Sequence, residues 1–305
     1  MLKISHRILS RLKMGFKVTF NSLNSINNQV EKFMSTIPTH IEDPIWRSMK
    51  ETGRLDGRPV SFYQQTTSTN DIALELGRQG APAGTLVVAD SQTGGRGRLQ
   101  RQWFSPPGTG LYVSIILRPP LEPSELPKIT LTAGVAVCAA IEEVTGLQPQ
   151  IKWPNDILID GKKTGGILTE SGAYQHGAEQ LVVVGIGLNV LTPATAFPGE
   201  LQHKVTSLAV HADKPPARGL ILQTIVRHFE QQMALLIHDS FAEILAALRK
   251  RDATAGKTLS WLTTDGNVVT GRSVGIDEQG LLHIRDNDSR IHTVLSGDIN
   301  LNRQQ

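Results

Sequence analysis

The sequence predicts an α+β protein that ends in a small β-barrel. Two observations lead to this prediction. Between residues 60 and 250, short apolar runs typical of strands alternate with stretches of helical spacing. After Arg251 the pattern changes to short β-like runs separated by turn signals, which favours a small barrel.

The first element is a strand at 60–63, followed by a helix that opens at 67–71, where Ser68 or Thr69 can cap it. Helical spacing also marks 126–145, which Gly146 ends, and 217–249. Further strands are predicted at 85–89, 111–117, 151–153, 157–159, 166–169 and 181–185. The β-like runs of the barrel are 259–262, 268–270, 281–284 and 291–295.

Composition limits the class of protein. The chain has 305 residues, of which 39% are hydrophobic and 19% charged, so it can bury a sizeable core. It has no run of about 18 or more apolar residues, so no membrane-spanning helix is predicted. Its single cysteine, Cys138, can form neither an internal disulfide nor a cysteine zinc site, which fits a reducing compartment.

The net charge of +3 is unevenly distributed. Residues 1–33 carry six basic residues and one acidic residue, for a net charge of +5, and the remaining 25 basic and 27 acidic residues leave −2. The net charge of the residues that follow the leader therefore gives no indication of nucleic-acid binding. The basic leader resembles an organellar transit peptide, but it also fits a poorly structured leader or an upstream start with Met34 as initiator.

These patterns divide the chain into three parts. We expect a leader-like, partly disordered N-terminal extension at 1–50 and a larger domain at 51–253. The barrel then occupies 254–305.

The first stretch that suggests chemistry is Q-T-G-G-R-G-R-L-Q-R-Q-W at 92–103, between two strands. Glycines let the backbone approach a ligand and leave N–H groups free for anions, and arginines bind phosphate or carboxylate. The stretch is neither a Walker motif nor a G-x-G-x-x-G fingerprint. The alternative is an exposed basic hairpin loop.

The second stretch is K-W-P-N-D at 152–156, at the end of a strand. It places a cation, an amide and a carboxylate within five residues. Lys152 could neutralise a developing negative charge, and Asp156 could hold Mg²⁺ or accept a proton. The alternative is a surface turn with a local salt bridge.

Two glycine-containing stretches follow. In 160–170 a D-G turn precedes Lys163 and two glycines, which predicts either a close ligand or a solvated hairpin lysine. In 184–190 alternating glycines leave room for a flat ligand or for packing against a helix. The histidines lack zinc-ligand spacing, and the sequence has no G-x-S-x-G nucleophile motif.

Taken together, these motifs resemble the biotin protein ligases, also called biotin–[acetyl-CoA-carboxylase] ligases, over residues 55–302. The G-R-G-R and K-W-P-N-D pair is highly specific. The resemblance implies a mixed β-sheet backed by helices, of the class II synthetase and biotin–lipoate ligase kind, followed by an SH3-like barrel. The residues that carry it are Ser68, Thr69, Asn70, Gln92, Gly94–Arg98, Trp103, Lys152–Asp156, Lys163–Gly166 and Gly185–Asn189.

The resemblance also implies two chemical steps. Biotin, the substrate, reacts with ATP and Mg²⁺ to give biotinyl-5′-AMP and pyrophosphate, and a lysine of the biotin carboxyl carrier protein then attacks the adenylate. The apo carrier is the implied partner, with no DNA or membrane partner. A monomer or homodimer in the cytoplasm is expected.

By motif position, the implied catalytic residues are Lys152, Asp156 and Arg98. Lys152 and Lys163 would face the biotin carboxylate and the α-phosphate, and 96–98 would cover biotin and the adenylate phosphate. The implied biotin and adenylate ligands are Ser68, Thr69, Asn70, Gln92, Gly95, Arg96, Gly97, Arg98, Trp103, Lys152, Asn155, Lys163, Gly165, Gly166, Gly187 and Asn189. No direct protein cage for a metal is implied; Mg²⁺ would come with ATP, near Asp156.

One departure concerns the N-terminus. Bifunctional family members carry an N-terminal helix-turn-helix, and residues 1–50 lack that pattern, which predicts a monofunctional enzyme. Two rival interpretations remain. A lipoate–protein ligase shares the fold and the adenylate chemistry but differs in its arginine–glycine motif. A biotin-sensing DNA-binding regulator would need the missing helix-turn-helix.

Overall fold

The computed structural model describes residues 43–172, 180–262, 268–294 and 298–301. The expectations for the leader at 1–33 concern residues outside this described part. The same holds for residues 1–42 of the segment 1–50, for which the sequence predicts no helix-turn-helix.

Eight described strands form a mixed sheet in the order β1-β2-β3-β4-β8-β7-β6-β5. Only β2 and β3 are parallel within it, and the other neighbours are antiparallel. This confirms the mixed sheet. The strands are β1 (Arg54–Leu55), β2 (Arg58–Tyr63), β3 (Leu86–Ala89), β4 (Gly110–Leu117), β5 (Gln150–Lys152), β6 (Asp156–Ile159), β7 (Lys162–Ser171) and β8 (Val182–Asn189).

Helices cover both faces of this sheet. They are α1 (Pro44–Thr52), α2 (Thr69–Arg78), α3 (Leu126–Thr145), α4 (Leu208–His211), α5 (Arg218–Ile237) and α6 (Phe241–Lys250). The side chains of Leu86 and Val88 join the main core with α3 and α5, whereas Val87 packs with Ala73 of α2 on the other face. This alternation follows from the two-residue period of a strand, and it leaves the α2 face of the sheet for the site described below.

The helix α3 is the apolar centre of the main core. By length and composition the segment Pro123–Thr145 could cross a bilayer, but 61% of its most apolar window is buried inside the protein. It ends, as predicted, at Gly146, whose φ of 71° is left-handed.

The segment predicted to be helical at 217–249 is two helices in the structure. The chain leaves α5 at His238, and Asp239 has a left-handed φ of 58° before α6 begins. The spacing of apolar residues persists across the break because both helices turn an apolar face to the same core, so periodicity alone does not mark it.

The N-terminal boundary expected between residues 50 and 51 is wrong, because it falls inside α1. Asp43 caps this helix by accepting from the Trp46 N–H at 2.9 Å, and it also accepts from Gly219 N at 2.7 Å. Trp46 and Met49 are buried in the main core. Residues 44–50 therefore pack with the domain that follows them.

The C-terminal part is a five-stranded antiparallel sheet in the order β12-β11-β10-β9-β13, consistent with the SH3-like barrel. Trp153 joins it to the first sheet, because its buried indole donates to Gly280 O at 2.9 Å. Its strands are β9 (Thr258–Leu262), β10 (Val268–Ile276), β11 (Leu282–Asp286), β12 (Ile291–Val294) and β13 (Asp298–Leu301).

Candidate active site

A cavity of about 630 Å³ lies on the α2 face of the first sheet. Its walls come from α2, the loop between β3 and β4, the β5–β7 hairpins, β8 and the segment 197–205. Most of the site residues predicted from the sequence line it: Ser68, Thr69, Asn70, Gln92, Arg96, Gly97, Arg98, Trp103, Lys152, Asn155, Asp156, Lys163, Gly166, Gly187 and Asn189.

Two predicted site residues, Gly95 and Gly165, do not line the cavity. A Cβ on Gly95 would lie 2.7 Å from Ser105 Oγ and 2.8 Å from Trp103 O, so this glycine lets the two arms of its loop approach each other. A Cβ on Gly165 would lie 3.1 Å from Leu188 Cδ1. Both glycines shape the wall rather than face the cavity.

The floor of the cavity is a buried group of hydroxyls and amides. Ser114 of β4 is fully buried, and its hydroxyl lies 2.8 Å from Thr69 Oγ1 and 2.6 Å from Asn70 Oδ1. Asn70 Nδ2 donates to Leu168 O at 3.2 Å and to Glu170 Oε2 at 2.7 Å. These bonds fix the Asn70 amide, so its Oδ1 remains an acceptor.

Ser68 is the residue before α2, as predicted, but its hydroxyl does not cap the helix. The Thr69 N–H is one of the donors of the first helical turn that have no partner within the helix, and it donates instead to Gln92 Oε1 at 2.8 Å. Gln92 Nε2 donates to Ser105 Oγ at 3.0 Å. Gln92 therefore ties the start of α2 to both arms of the loop.

The space beside the glycines of β8 is filled by two side chains. A Cβ on Gly185 would collide with the amide of Asn70, and one on Gly187 would lie 2.6 Å from Trp103 Nε1. These glycines therefore make room for two flat groups of the protein itself: the Asn70 amide at Gly185 and the Trp103 indole at Gly187. Trp103 Nε1 is buried and has no hydrogen-bond partner among the described residues. A buried donor without a partner is costly, which makes it a candidate contact for a ligand acceptor.

The glycine–arginine loop is folded over the cavity as a hairpin. Gly97 N donates to Arg101 O at 2.7 Å, and Trp103 N donates to Gly95 O at 2.8 Å. At its tip, Leu99 and Gln100 have left-handed φ values of 54° and 61°, an uncommon conformation for residues other than glycine.

Two arginines fasten this loop at different places. Arg98 Nη1 donates to Asn155 Oδ1 at 3.3 Å, which joins the loop to the K-W-P-N-D turn. The Arg96 guanidinium instead lies between the carboxylates of Asp71 and Glu170.

The charged end of the cavity holds two lysines around one carboxylate. Lys163 Nζ lies 2.5 Å from Asp156 Oδ1, and Lys152 Nζ lies 3.4 Å from Asp156 Oδ2. All three side chains are partly exposed, by 16% to 30%, and Lys163 also lies 5.3 Å from the centre of the Trp103 ring. The cluster has a net charge of +1 and attracts anions.

The donor set does not fit a magnesium ion held by the protein. Among the described residues that line the cavity, Asp156 is the only acid, and both of its oxygens already face ammonium groups. No group of three metal-ligating side chains occurs in the described part of the chain. The donor set therefore does not support Asp156 as a magnesium ligand. Its role as a proton acceptor stays a prediction, and in the structure its carboxylate contacts both lysines.

Within K-W-P-N-D the side chains divide between two directions. Trp153 points into the core, where it contacts the second sheet. Asn155 faces the cavity, and its Nδ2 donates to Ile167 O at 3.1 Å. The motif therefore combines a structural residue with three residues of the site.

Sequence analysis missed several residues of the site. Ser114 lies outside the cavity lining but contacts Thr69 and Asn70 from below, a position that becomes apparent only when α2 packs on the sheet. Phe104 and Phe197 form a tilted ring pair at 6.0 Å beside the cavity. The segment 201–205 also lines the cavity and is fixed because Lys163 N donates to Lys204 O at 2.9 Å. Asn300 comes from the second sheet.

Family models match two parts of the chain. Residues 61–189 match the "Biotin/lipoate A/B protein ligase family", and residues 262–301 match the "Biotin protein ligase C terminal domain". The two matches correspond to the two sheets.

Individual relatives agree with these models. The "Bifunctional ligase/repressor BirA" of Bacillus subtilis is 40% identical over 245 residues, covering 80% of this chain and 74% of the relative. The "Biotin--[acetyl-CoA-carboxylase] ligase" of Mycobacterium tuberculosis is 31% identical over 247 residues, covering 79% and 88%. The structure of a biotin protein ligase from Aquifex aeolicus in complex with biotin and ATP has a TM-score of 0.69 and 30% identity, covering 80% of this chain and 99% of that one.

Proposed function

Since this chain belongs to the biotin protein ligase family, we propose that it joins biotin to ATP as biotinyl-5′-AMP and then transfers the biotinyl group to one lysine of a biotin carboxyl carrier protein. The observation that carries the proposal is the arrangement of the cavity. A neutral, hydrogen-bonded floor lies at one end, and two lysines lie at the other. This suits an uncharged ring system with a carboxylate tail.

The first step brings together two anions, the biotin carboxylate and the α-phosphate of ATP. Lys152 and Lys163 reduce their repulsion and stabilise the charge that develops during attack. Asp156 holds both ammonium groups in place before substrate arrives, so little reorganisation is needed. We expect any magnesium ion to arrive with the nucleotide, since the described residues that line the cavity offer one carboxylate, that of Asp156.

The product of this step is a mixed anhydride that water would hydrolyse. The loop at 94–103 lies over the cavity and is fastened at its root by Gln92 and across the cavity by Arg98. A closed loop excludes water from the intermediate until the carrier lysine arrives. Lys204 and Asn300 are exposed at an edge of the cavity, and we propose that the carrier lysine enters there.

The proposal is tested by incubating the purified chain with labelled biotin, MgATP and an apo carrier domain. Label on the carrier lysine, together with pyrophosphate release, is the expected result. A parallel reaction with lipoate decides between the two substrates of this wider family, and we expect no pyrophosphate release with lipoate. A carrier that stays unlabelled would sink the proposal, and equal release with both acids would overturn the assignment of biotin.

A further inference from the structure

Arg96 connects three separate elements through a small ionic network. Its Nη2 lies 2.6 Å from Asp71 Oδ1, in the first turn of α2. The same nitrogen lies 3.1 Å from Glu170 Oε2 and 3.2 Å from Glu170 Oε1, on β7. The loop is thus fixed at Arg96 to both the helix and the sheet.

Glu170 extends this network into the floor of the cavity. Glu170 Oε2, one of the two oxygens that accept from Arg96, also accepts from Asn70 Nδ2 at 2.7 Å. Asn70 Oδ1 in turn lies 2.6 Å from the buried Ser114 hydroxyl. One carboxylate therefore contacts both the loop above the cavity and the Asn70 amide below it.

The charge of Arg96 is compensated within this network. Two carboxylates lie within 3.2 Å of one guanidinium nitrogen, so a phosphate would have to compete with both of them. Among the described residues, Lys152 and Lys163 share one carboxylate, that of Asp156, and this cluster keeps a net positive charge. The two lysines are therefore better placed than Arg96 to bind an anion. The contacts of the Arg96 side chain instead join the loop to α2 and β7.

We propose that Arg96 is a positioning residue that, with Asp71 and Glu170, latches the loop over the cavity and retains the acyl-adenylate until transfer. The retention part of this inference rests on the proposed function, whereas the latch itself does not. Through Glu170 the closed loop also holds the Asn70 amide in its ligand-accepting orientation. Loop closure and floor geometry are thereby coupled.

The exposure of the three side chains indicates a latch that opens easily. Arg96 is 38% exposed, Asp71 46% and Glu170 30%. Ion pairs of this exposure each change an equilibrium only by a few-fold, and salt screens them. Such a latch slows the escape of an intermediate without preventing substrate entry or product release.

The latch is tested first without any ligand. The double variant Asp71→Asn/Glu170→Gln keeps every arginine, so trypsin can still cut after Arg96, Arg98 and Arg101. Cleavage of the folded protein tracks the fraction of open loop, and we expect it to be about 3- to 10-fold faster in the variant. Unchanged cleavage would overturn the latch, whatever reaction the protein catalyses.

Two further variants make this digestion specific. Glu75→Gln is the matched control, because it removes another carboxylate of α2 whose partners, Gln79 at 2.7 Å and Arg78 at 3.6 Å, lie outside the cavity lining. It should be cut at the parental rate. Arg96→Lys keeps the trypsin site and one ion pair at a time, so its rate should fall between the parent and the double variant.

The functional consequence is tested with labelled biotin and MgATP in the absence of carrier. Asp71→Asn should release biotinyl-5′-AMP about 2- to 5-fold faster, with a nearly unchanged KM for biotin, because it removes one of the two ion pairs and lies outside the cavity lining. Glu170→Gln should also raise the KM for biotin, because it weakens the hold on Asn70. Faster cleavage without faster release would refute the retention role. A parent that forms no adenylate would refute the proposed function while leaving the digestion result intact.

Discussion

The two ends of the cavity are formed by different kinds of side chain, neutral at one end and charged at the other. The floor, centred on Ser114, Thr69 and Asn70, consists of neutral polar groups that are at least 95% buried and hydrogen-bonded to one another. The charged end consists of Lys152, Lys163 and Asp156, which are partly open to solvent. The side chains of the floor already hydrogen-bond to one another, whereas the charged end has two ammonium groups for one carboxylate.

This difference separates recognition from chemistry. Buried neutral groups discriminate between ligands because an unmatched donor or acceptor is costly away from water. Cations that attract developing negative charge lower a barrier and contribute less to the binding of a neutral ring. Changes at the floor should therefore affect mainly binding, and changes at the charged end mainly rate.

The largest expected effect is at the charged end. Lys152→Ala and Lys163→Ala should each slow adenylation by about 10²–10³-fold, the usual cost of losing one preorganised charge-stabilising group. Biotin binding, measured by calorimetry, should change much less. Lys162→Ala is the control, since this neighbouring lysine is exposed and does not line the cavity. Adenylation within a few-fold of the parent would show that the lysines only form a local salt bridge.

The second effect is steric and concerns the floor. A methyl group on Gly187 would lie 2.6 Å from Trp103 Nε1, so Gly187→Ala must displace the indole. We expect biotin binding to weaken by about 10- to 100-fold, while the adenylation rate at saturating biotin changes less, because the loss is uniform binding. Gly199→Ala is the control, because nothing lies within 4 Å of its added methyl group. Normal affinity in Gly187→Ala would contradict the fixed position of Trp103.

A third, smaller effect comes from the hydrogen bonds of the floor. Ser114→Ala removes a buried donor and leaves Thr69 or Asn70 with an unmet acceptor, which should lower the free energy of unfolding by about 1–3 kcal/mol. The KM for biotin should rise by about 10-fold at a similar kcat. Ser207→Ala is the matched control, since the buried Ser207 hydroxyl has no hydrogen-bond partner among the described residues and its loss should be neutral. Equal destabilisation by both changes would show that the Ser114 bonds contribute nothing specific.

Much of the fold could be predicted from the sequence because its elements have strong local signals. The predicted helix 126–145 has the same limits as α3 in the structure, because an apolar core helix that ends at a glycine has clear signals at its ends. The hairpin at Asp160 and Gly161 followed from turn chemistry, and both residues have left-handed φ values of 49° and 71°. The break between α5 and α6 was missed because no proline or glycine marks it.

The site was predictable where a motif places residues close together in the chain. The lysine pair and the glycine–arginine loop are such cases, and both line the cavity. The side-chain direction of Arg96 was not predictable, because it depends on Asp71 and Glu170, which the sequence separates by 99 positions. The same reason hides Ser114 and the segment 201–205, whose roles arise only from packing.

The smallest expected effect tests the comparison without any mutation. Salt screens partly exposed charges and has little influence on buried neutral hydrogen bonds, since the Debye length falls from about 10 Å at 0.1 M to about 3 Å at 1 M. Raising sodium chloride across this range should increase the KM for ATP by about 2- to 5-fold, because the lysine cluster attracts the nucleotide less strongly. The dissociation constant of biotin, measured without nucleotide, should change by less than about 2-fold, because Ser114, Thr69 and Asn70 carry no net charge. If biotin binding proved as sensitive to salt as the KM for ATP, the floor would not be the neutral recognition element that its hydrogen bonds indicate, and the carboxylate of biotin would have to supply most of its affinity through Lys152 and Lys163.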